Sequence, residues 1–237
     1  MPEVLETNQT QTFPPAQMEI YYPSSRSEEE IIYPEQREDD MGESSYHNNL
    51  RVDLFLVLNL FFSKRTNVFM TANMNVYYVQ GNSDKWFAPD ILVAFGVPNY
   101  DRSIYKVWQE KVFPQVIFEI ASDRTWKTDV DEKLKLYERL GAEEYYVFDA
   151  EFAYLPAPLM AFHRQGERLV KKQITNDRVF SPRLGLEIVM TENTFRLFNP
   201  QTNEFLRTLE ESEAERHKIA SELERLKAEI ERLKAEK

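Results

Sequence analysis

Asp90, Glu119 and Lys133 are the side chains around which chemistry can be built. Asp90 lies in Ala88-Pro89-Asp90-Ile91-Leu92-Val93, which reads as a strand opened by a Pro-Asp pair. Glu119 lies inside the apolar run Pro114-Gln115-Val116-Ile117-Phe118-Glu119-Ile120-Ala121-Ser122. A charge inside an apolar strand is costly unless it is paired, solvated or bound to a metal. Strand side chains alternate between faces, so Glu119 shares its face with Ile117 and Ala121. If the two strands are neighbours, Asp90 and Glu119 converge on one divalent cation. Carboxylates, water and a backbone carbonyl are the hard oxygen ligands that Mg²⁺ prefers, with Mn²⁺ as the alternative ion. Such an ion lowers the pKa of a bound water and neutralises charge building on a phosphate. Asp129, Lys133 and Tyr137 recur at i, i+4 and i+8, one face of a helix that can aim back at the sheet. The Lys133 ammonium would orient the nucleophile or stabilise the phosphorane.

Each of these residues also has a plainer reading. Asp90 is equally a turn residue, and Glu119 a structural carboxylate paired with Lys133 itself. Helix lysines are usually solvated. Asp129 suits the N-terminal turn of a helix, where the backbone dipole favours acids, and Tyr137 suits packing.

The elements that must position these groups follow from pattern. Ser44 or Ser45 caps a helix whose apolar residues Leu50, Leu54, Val57, Leu58 and Phe61 keep helical spacing to about Ser63. Residues 67–80 alternate in part and predict one half-buried strand, or two joined by a bend. Residues 96–113 have no clean period and read as an ordered loop on the sheet surface. A helix is expected from about Thr128 to Leu140, closed by Gly141, and a strand over residues 144–149. Beyond Pro158, the segments 159–164, 168–173, 185–190 and 195–206 read as hairpins closing the sheet. The fold class is therefore α/β, a mixed sheet flanked by helices.

The C-terminal stretch differs in kind. Ile219, Leu223, Leu226, Ile230 and Leu233 are spaced 4, 3, 4 and 3, the seam of a coiled coil, and Glu-Arg-Leu-Lys-Ala-Glu occurs at 224–229 and again at 231–236. This is a helix that pairs subunits or binds another protein, or else a solvated charged helix.

Charge divides the chain the same way. The net charge of −11 resolves into −8 over residues 1–40, −1 over 41–207 and −2 from Thr208 onward. The first segment, rich in Pro, Gln, Ser, Thr and Glu, reads as a mostly disordered acidic extension. The near-neutral centre neither supports nor excludes a nucleic-acid partner, because a local basic groove needs only a few side chains. With no cysteine, disulfides, thiolate metal sites and a Cys nucleophile are excluded. No apolar window reaches membrane-span length, and the polar, acidic beginning predicts no secretory signal, so a soluble cytoplasmic chain is expected.

Taken together, Ala88-Pro89-Asp90, Gly96-Val97-Pro98, Phe118-Glu119-Ile120-Ala121-Ser122 with Thr125, the Asp129-Lys133-Tyr137 series, Gly141-Ala142-Glu143-Glu144-Tyr145 and Asp149 resemble the PD-(D/E)-x-K nuclease superfamily. More closely they resemble its Uma-two family of endonucleases (domain of unknown function 820). The superfamily lysine ordinarily follows two residues after the acid, where this chain has Ala121; in the Uma-two pattern the next helix supplies it, here as Lys133. Glu43-Ser44-Ser45-Tyr46-His47 resembles the family's helix-opening acid and histidine, and the Glu/Arg/Leu-rich tail resembles the tails of many members. Asp123-Arg124 departs from the more usual Lys or Pro followed by Ser, a difference that concerns substrate contacts and not the metal ligands.

The resemblance covers roughly residues 41–237. It implies a restriction-endonuclease-like domain over 41–207, followed by a coiled-coil helix over 208–237. It implies a Mg²⁺-dependent endonuclease hydrolysing DNA phosphodiester bonds, with Asp90 and Glu119 on the metal and Lys133 serving the attacking water. Glu43 would add an acid from the start of the first helix, an acid the helix dipole favours there in any case. His47 would contact the metal or a phosphate, or serve as a helix-cap or packing residue. A homodimer formed through the tail would suit cutting of both strands. The alternative is a non-catalytic binding or scaffold protein of the same fold, assembled through its coiled coil.

Overall fold

Helix α1 (Ser45–Phe62) opens the described part of the chain; the computed structural model describes residues 44–192 and 194–235. Glu43 and the acidic extension lie outside those residues. Ser44 caps α1 by accepting a hydrogen bond from the His47 backbone N–H, leaving one fewer unsatisfied donor in the first turn. Its buried stripe is His47, Leu50, Leu54, Leu58 and Phe62, so Phe62 rather than Phe61 completes the apolar face.

The centre is a six-stranded mixed sheet in the order β1 (Val68–Ala72), β4 (Ile91–Phe95), β6 (Val116–Ile120), β7 (Glu144–Phe148), β8 (Leu159–Gln165) and β9 (Arg168–Lys171). Only β6 and β7 run parallel; the other pairings are antiparallel. A parallel pair needs a crossover, and the crossover here is the helical segment that carries Lys133. The central strands β4, β6 and β7 are apolar almost throughout because both faces of the sheet are covered.

On one face, α1 packs over Ile91, Val93, Phe118 and Ile120 together with a separate four-stranded antiparallel sheet: β10 (Arg178–Ser181), β11 (Leu186–Met190), β12 (Phe195–Asn199) and β13 (Glu204–Phe205). The hairpins after Pro158 thus divide. β8 and β9 extend the central sheet, but the later strands form a second layer whose Ile188, Phe195 and Leu197 close the core.

The opposite face carries Leu92, Ile117, Ala121, Tyr145 and Val147 under the crossover helix and a small sheet of β3 (Trp86–Phe87), β2 (Val76–Tyr77) and β5 (Tyr105–Lys106). Residues 67–80 are two strands in different sheets, separated where Asn73 takes a left-handed backbone with φ of 50°. The segment 96–113, expected as an ordered loop on the sheet surface, does lie on the sheet but carries short regular elements and sends several side chains into the core. It contains β5 and the single-turn helix α2 (Val107–Glu110), with Tyr105, Val107 and Trp108 buried. Arg102 holds it by pairing with Glu110 at 2.7 Å and lying over the rings of Phe69 and Tyr100. Such arginine contacts leave no trace in apolar periodicity.

The crossover opens with α3 (Trp126–Thr128), widens into a π-helical turn over Asp129–Lys133 and returns to α4 (Leu134–Leu140). Gly141 ends it at φ 98°, donating its N–H to Tyr137 and Glu138 carbonyls as a C-cap requires. The tail is α5 (Leu209–Ala235), opened by a capping box in which Thr208 and Glu211 exchange side-chain to backbone hydrogen bonds. No helix among the described residues is long and apolar enough to cross a membrane.

Candidate functional site

β4 and β6 are antiparallel neighbours with Ile91 opposite Phe118 and Leu92 opposite Ile117. One step further along this register sets Asp90 opposite Glu119. Ile91 and Phe118 point into the α1 layer, so alternation sends both carboxylates to the other face, beneath the crossover helix. Asp90 Oδ2 accepts the Ile120 backbone N–H at 2.7 Å, which fixes the aspartate beside the residue that follows Glu119. Asp90 Oδ1 meets His47 Nε2 at 2.7 Å, with an Arg51 guanidinium nitrogen at 3.7 Å. His47 and Arg51 lie one turn apart on α1 and thus reach the same carboxylate.

Glu119 is 2% exposed. Its Oε1 accepts from the Tyr137 hydroxyl at 2.6 Å, and its Oε2 lies 3.0 Å from Lys133 Nζ. The same ammonium lies 2.8 Å from Asp129 Oδ1. That contact is an ion pair rather than an aligned hydrogen bond, and Asp129 Oδ2 has no hydrogen-bond partner among the described residues. The π-helical turn places Asp129 and Lys133 together over the sheet, and Tyr145 pins it from below by donating to the Asp129 carbonyl at 2.9 Å. π-helical turns recur at functional sites because they re-aim side chains without ending the helix. Tyr137 is wedged edge-on against Phe87 and Tyr145.

Burial dominates the electrostatics. It pushes the Glu119 carboxyl up to about 8, opposed by Lys133 and reinforced by Asp129 and Asp90. Asp129 moves in the same direction, again chiefly through burial. Burial acting alone would lower the Lys133 pKa, but Glu119 and Asp129 outweigh it and raise it above the ordinary lysine value. The ammonium form of Lys133 is therefore favoured, and burial shifts both carboxyls beside it, Glu119 and Asp129, toward protonation. Two carboxylates, Glu119 and Asp129, share the Lys133 ammonium on this face, with Asp90 nearby and His47 and Arg51 bearing on it from α1.

The cluster opens into a cleft of about 950 Å³ lined by Asp90, Glu119 and Lys133, with Trp86 and Tyr154 among its walls and Arg124, Lys135 and Arg139 among its basic groups. Ser44 also lines it and donates to Glu151 at 2.8 Å. The donor set suits a hard cation. Asp90 Oδ2 and both Glu119 oxygens each accept one hydrogen bond or ion pair and keep a second lone pair, whereas Asp90 Oδ1 already meets His47 and Arg51, and the extra buried charge of Asp129 calls for positive compensation. Among the described residues, no three His, Asp or Glu side chains form a ready-made ligand group.

Of the residues singled out from sequence, Asp90, Glu119, Lys133 and His47 meet in one cleft, and Glu43 lies outside the described residues. Asp129 is more than a helix-terminal acid, because it is fully buried against Lys133. Tyr137 packs, as expected, and also positions Glu119. Arg51 was missed, although its spacing of four from His47 on an amphipathic helix was available as a signal.

Comparison with known proteins gives a family and a structure. The family Uma2, described as "Putative restriction endonuclease", matches residues 19–194. A solved structure described as a "putative nuclease belonging to DUF820 from Anabaena variabilis ATCC 29413" is 14% identical, with 60% of this chain and 75% of that chain covered at a TM-score of 0.46. No curated protein matches the chain.

Proposed function

Because the chain belongs to the Uma2 family, we propose that its cleft is the active site of a divalent-metal-dependent endonuclease acting on DNA phosphodiester bonds. The observation that carries this reading is the convergence of Asp90, Glu119 and Lys133, from two adjacent strands and the crossover between β6 and β7, on one open cleft. Asp90 and Glu119 would hold the cation, Mg²⁺ or Mn²⁺ by the hardness of their oxygens. Such an ion supplies Lewis acidity to the phosphodiester and lowers the pKa of water.

The chain's own residues do the rest. Lys133 carries a fixed positive charge that orients water or meets charge developing on the phosphate. Tyr137 and the Ile120 N–H hold Glu119 and Asp90 in place. His47 keeps Asp90 from rotating, through its 2.7 Å contact with Asp90 Oδ1. Arg124, Lys135 and Arg139 supply positive charge along the cleft for the nucleic-acid backbone. The tail helix α5 is assigned to assembly, as a homodimer that would bring one site to each DNA strand.

A scaffold reading has one observation in its favour. The Lys133 ammonium lies on Glu119 and Asp129 as a closed ion-pair network, which a purely structural cluster would also need. Incubating supercoiled plasmid with Mg²⁺ or Mn²⁺ and either the wild type or Asp90→Asn separates the two. Nicking by the wild type alone is expected. Equal nicking by the variant, or no nicking of any nucleic acid by a folded wild type, would overturn the nuclease assignment.

A further inference from the structure

Helix α5 leaves its own domain early. From Arg216 onward every described residue is exposed, and Ile219, Leu223, Leu226, Ile230 and Leu233 are each at least half exposed along one seam. Ion pairs along it are local: Lys227 pairs with Glu224, and Lys234 with Glu231, each at 3.0 Å. Exposed pairs of this kind add little, and helices in proteins draw most of their stability from packing an apolar face. Such a seam is what a second helix would cover.

The charges beside the seam say which partner. In the coiled-coil frame, Ile219, Leu226 and Leu233 take one core position and Leu223 and Ile230 the other. Glu222 and Glu229 then flank the seam on one side, and Lys227 and Lys234 on the other. In a parallel, in-register pair of identical helices, a flanking residue on the first side faces the residue five positions later on the second side of the partner. Glu222 would meet Lys227 of the partner subunit, and Glu229 would meet Lys234 of the partner subunit, twice over by symmetry. An antiparallel pair instead sets glutamate against glutamate and lysine against lysine. Both heptads carry the same arrangement: the Glu-Arg-Leu-Lys-Ala-Glu unit repeats Lys227 as Lys234 at an interval of seven, and Glu222 precedes Glu229 by the same interval.

We infer that α5 is a parallel, in-register homodimerisation helix whose occupant is a second copy of this chain. Parallel pairing carries both domains at the same end of the coil, so two clefts are delivered to one stretch of substrate. This deepens the assembly role assigned above, and its failure would leave the nuclease reading standing because cleavage and association are read separately.

Sedimentation equilibrium of the full chain over a concentration series tests the association, and engineered thiols test its direction. The chain has no cysteine, so any disulfide reports only the introduced pair. The expected results are a dimer that dissociates on dilution, and 233–233 and 219–219 links when Leu233→Cys and Ile219→Cys chains are mixed and oxidised. Glu222→Lys with Glu229→Lys should weaken the dimer about tenfold, from four exposed charge pairs reversed, and added salt should recover part of the loss. A monomer at every concentration would overturn the inference, as would 219–233 links in place of the like-with-like pairs.

Discussion

Glu119 and Glu144 are both buried carboxylates on adjacent parallel strands, β6 and β7, and burial raises the pKa of each. Their surroundings differ. Glu144 accepts from the hydroxyls of Ser181 and Tyr146 and from the Arg183 backbone N–H, and Tyr146 in turn meets His163 at 2.9 Å. Ser181 and Arg183 come from β10 and the turn after it, and Tyr146 from β7 itself, so these neutral donors close on Glu144 from within and fasten the second sheet to the central one. Glu119 is held by one ammonium and one hydroxyl, beside Asp129 and Asp90, at the floor of an open cleft. A buried strand acid alone therefore does not mark a reactive site. What separates the two is a surplus of like charge facing solvent-accessible space. Glu144 is satisfied by neutral donors, whereas Glu119 shares a single ammonium with Asp129.

The comparison can be broken by substitution. Glu119→Gln keeps the shape and removes the charge, so metal-dependent cleavage should fall by about a thousandfold while circular dichroism stays native. Glu144→Gln should leave cleavage per folded molecule unchanged. If both variants lose cleavage equally, the distinction drawn here is wrong. Lys133→Met should cost about a hundredfold in cleavage. It should also lower the metal-free melting temperature, because two buried carboxylates lose their counter-charge, and Mg²⁺ should restore part of that loss. A purely structural lysine would show the destabilisation without the rescue. In denaturant titrations, Glu144→Gln should lose about 2 kcal/mol, since an amide cannot satisfy three donors that all point at it.

pH sharpens the contrast further. The folded Glu119 carboxyl titrates at about 8 against an ordinary 4.5. Between those values the folded chain binds more protons than the unfolded one, so this group's contribution to stability falls as pH rises through the window. In metal-free buffer the slope between neutral pH and about 8 should flatten in Glu119→Gln and persist in Glu144→Gln. The smallest expected effect belongs to Tyr137→Phe. Its hydroxyl stabilises the charged form of Glu119, so its loss should move the pH profile of metal binding to the alkaline side with cleavage otherwise retained.

Much of the site was legible because short-range rules fix it. The Pro-Asp opening of β4, the alternation that puts Glu119 with Ile117 and Ala121, and the spacing of Lys133 on the crossover helix all hold in the structure. What was not legible depends on contacts far apart in sequence or on geometry that pattern does not encode. The i, i+4 spacing of Asp129 and Lys133 suits α and π turns alike, so the widened turn gave no signal. Tyr137 reads as packing because it does pack, and its hydroxyl finds Glu119 across 18 residues. Alternation identified the strands after Pro158 without saying which sheet each would join; the Ser181–Glu144 contact, 37 residues apart, helps decide that for β10. The segment around Tyr105 reads as an ordered loop on the sheet because its aromatic and charged residues mask a buried strand two residues long.

The most direct measurement is a calorimetric titration of Mn²⁺ into the metal-free wild type and Glu119→Gln, repeated at several pH values in buffers of different ionisation enthalpy. The account predicts binding to the wild type that releases protons and tightens as pH rises toward about 8, and that is lost in Glu119→Gln. Equal binding by both proteins, or no binding by a folded wild type, would contradict it and leave Glu119 a structural carboxylate like Glu144.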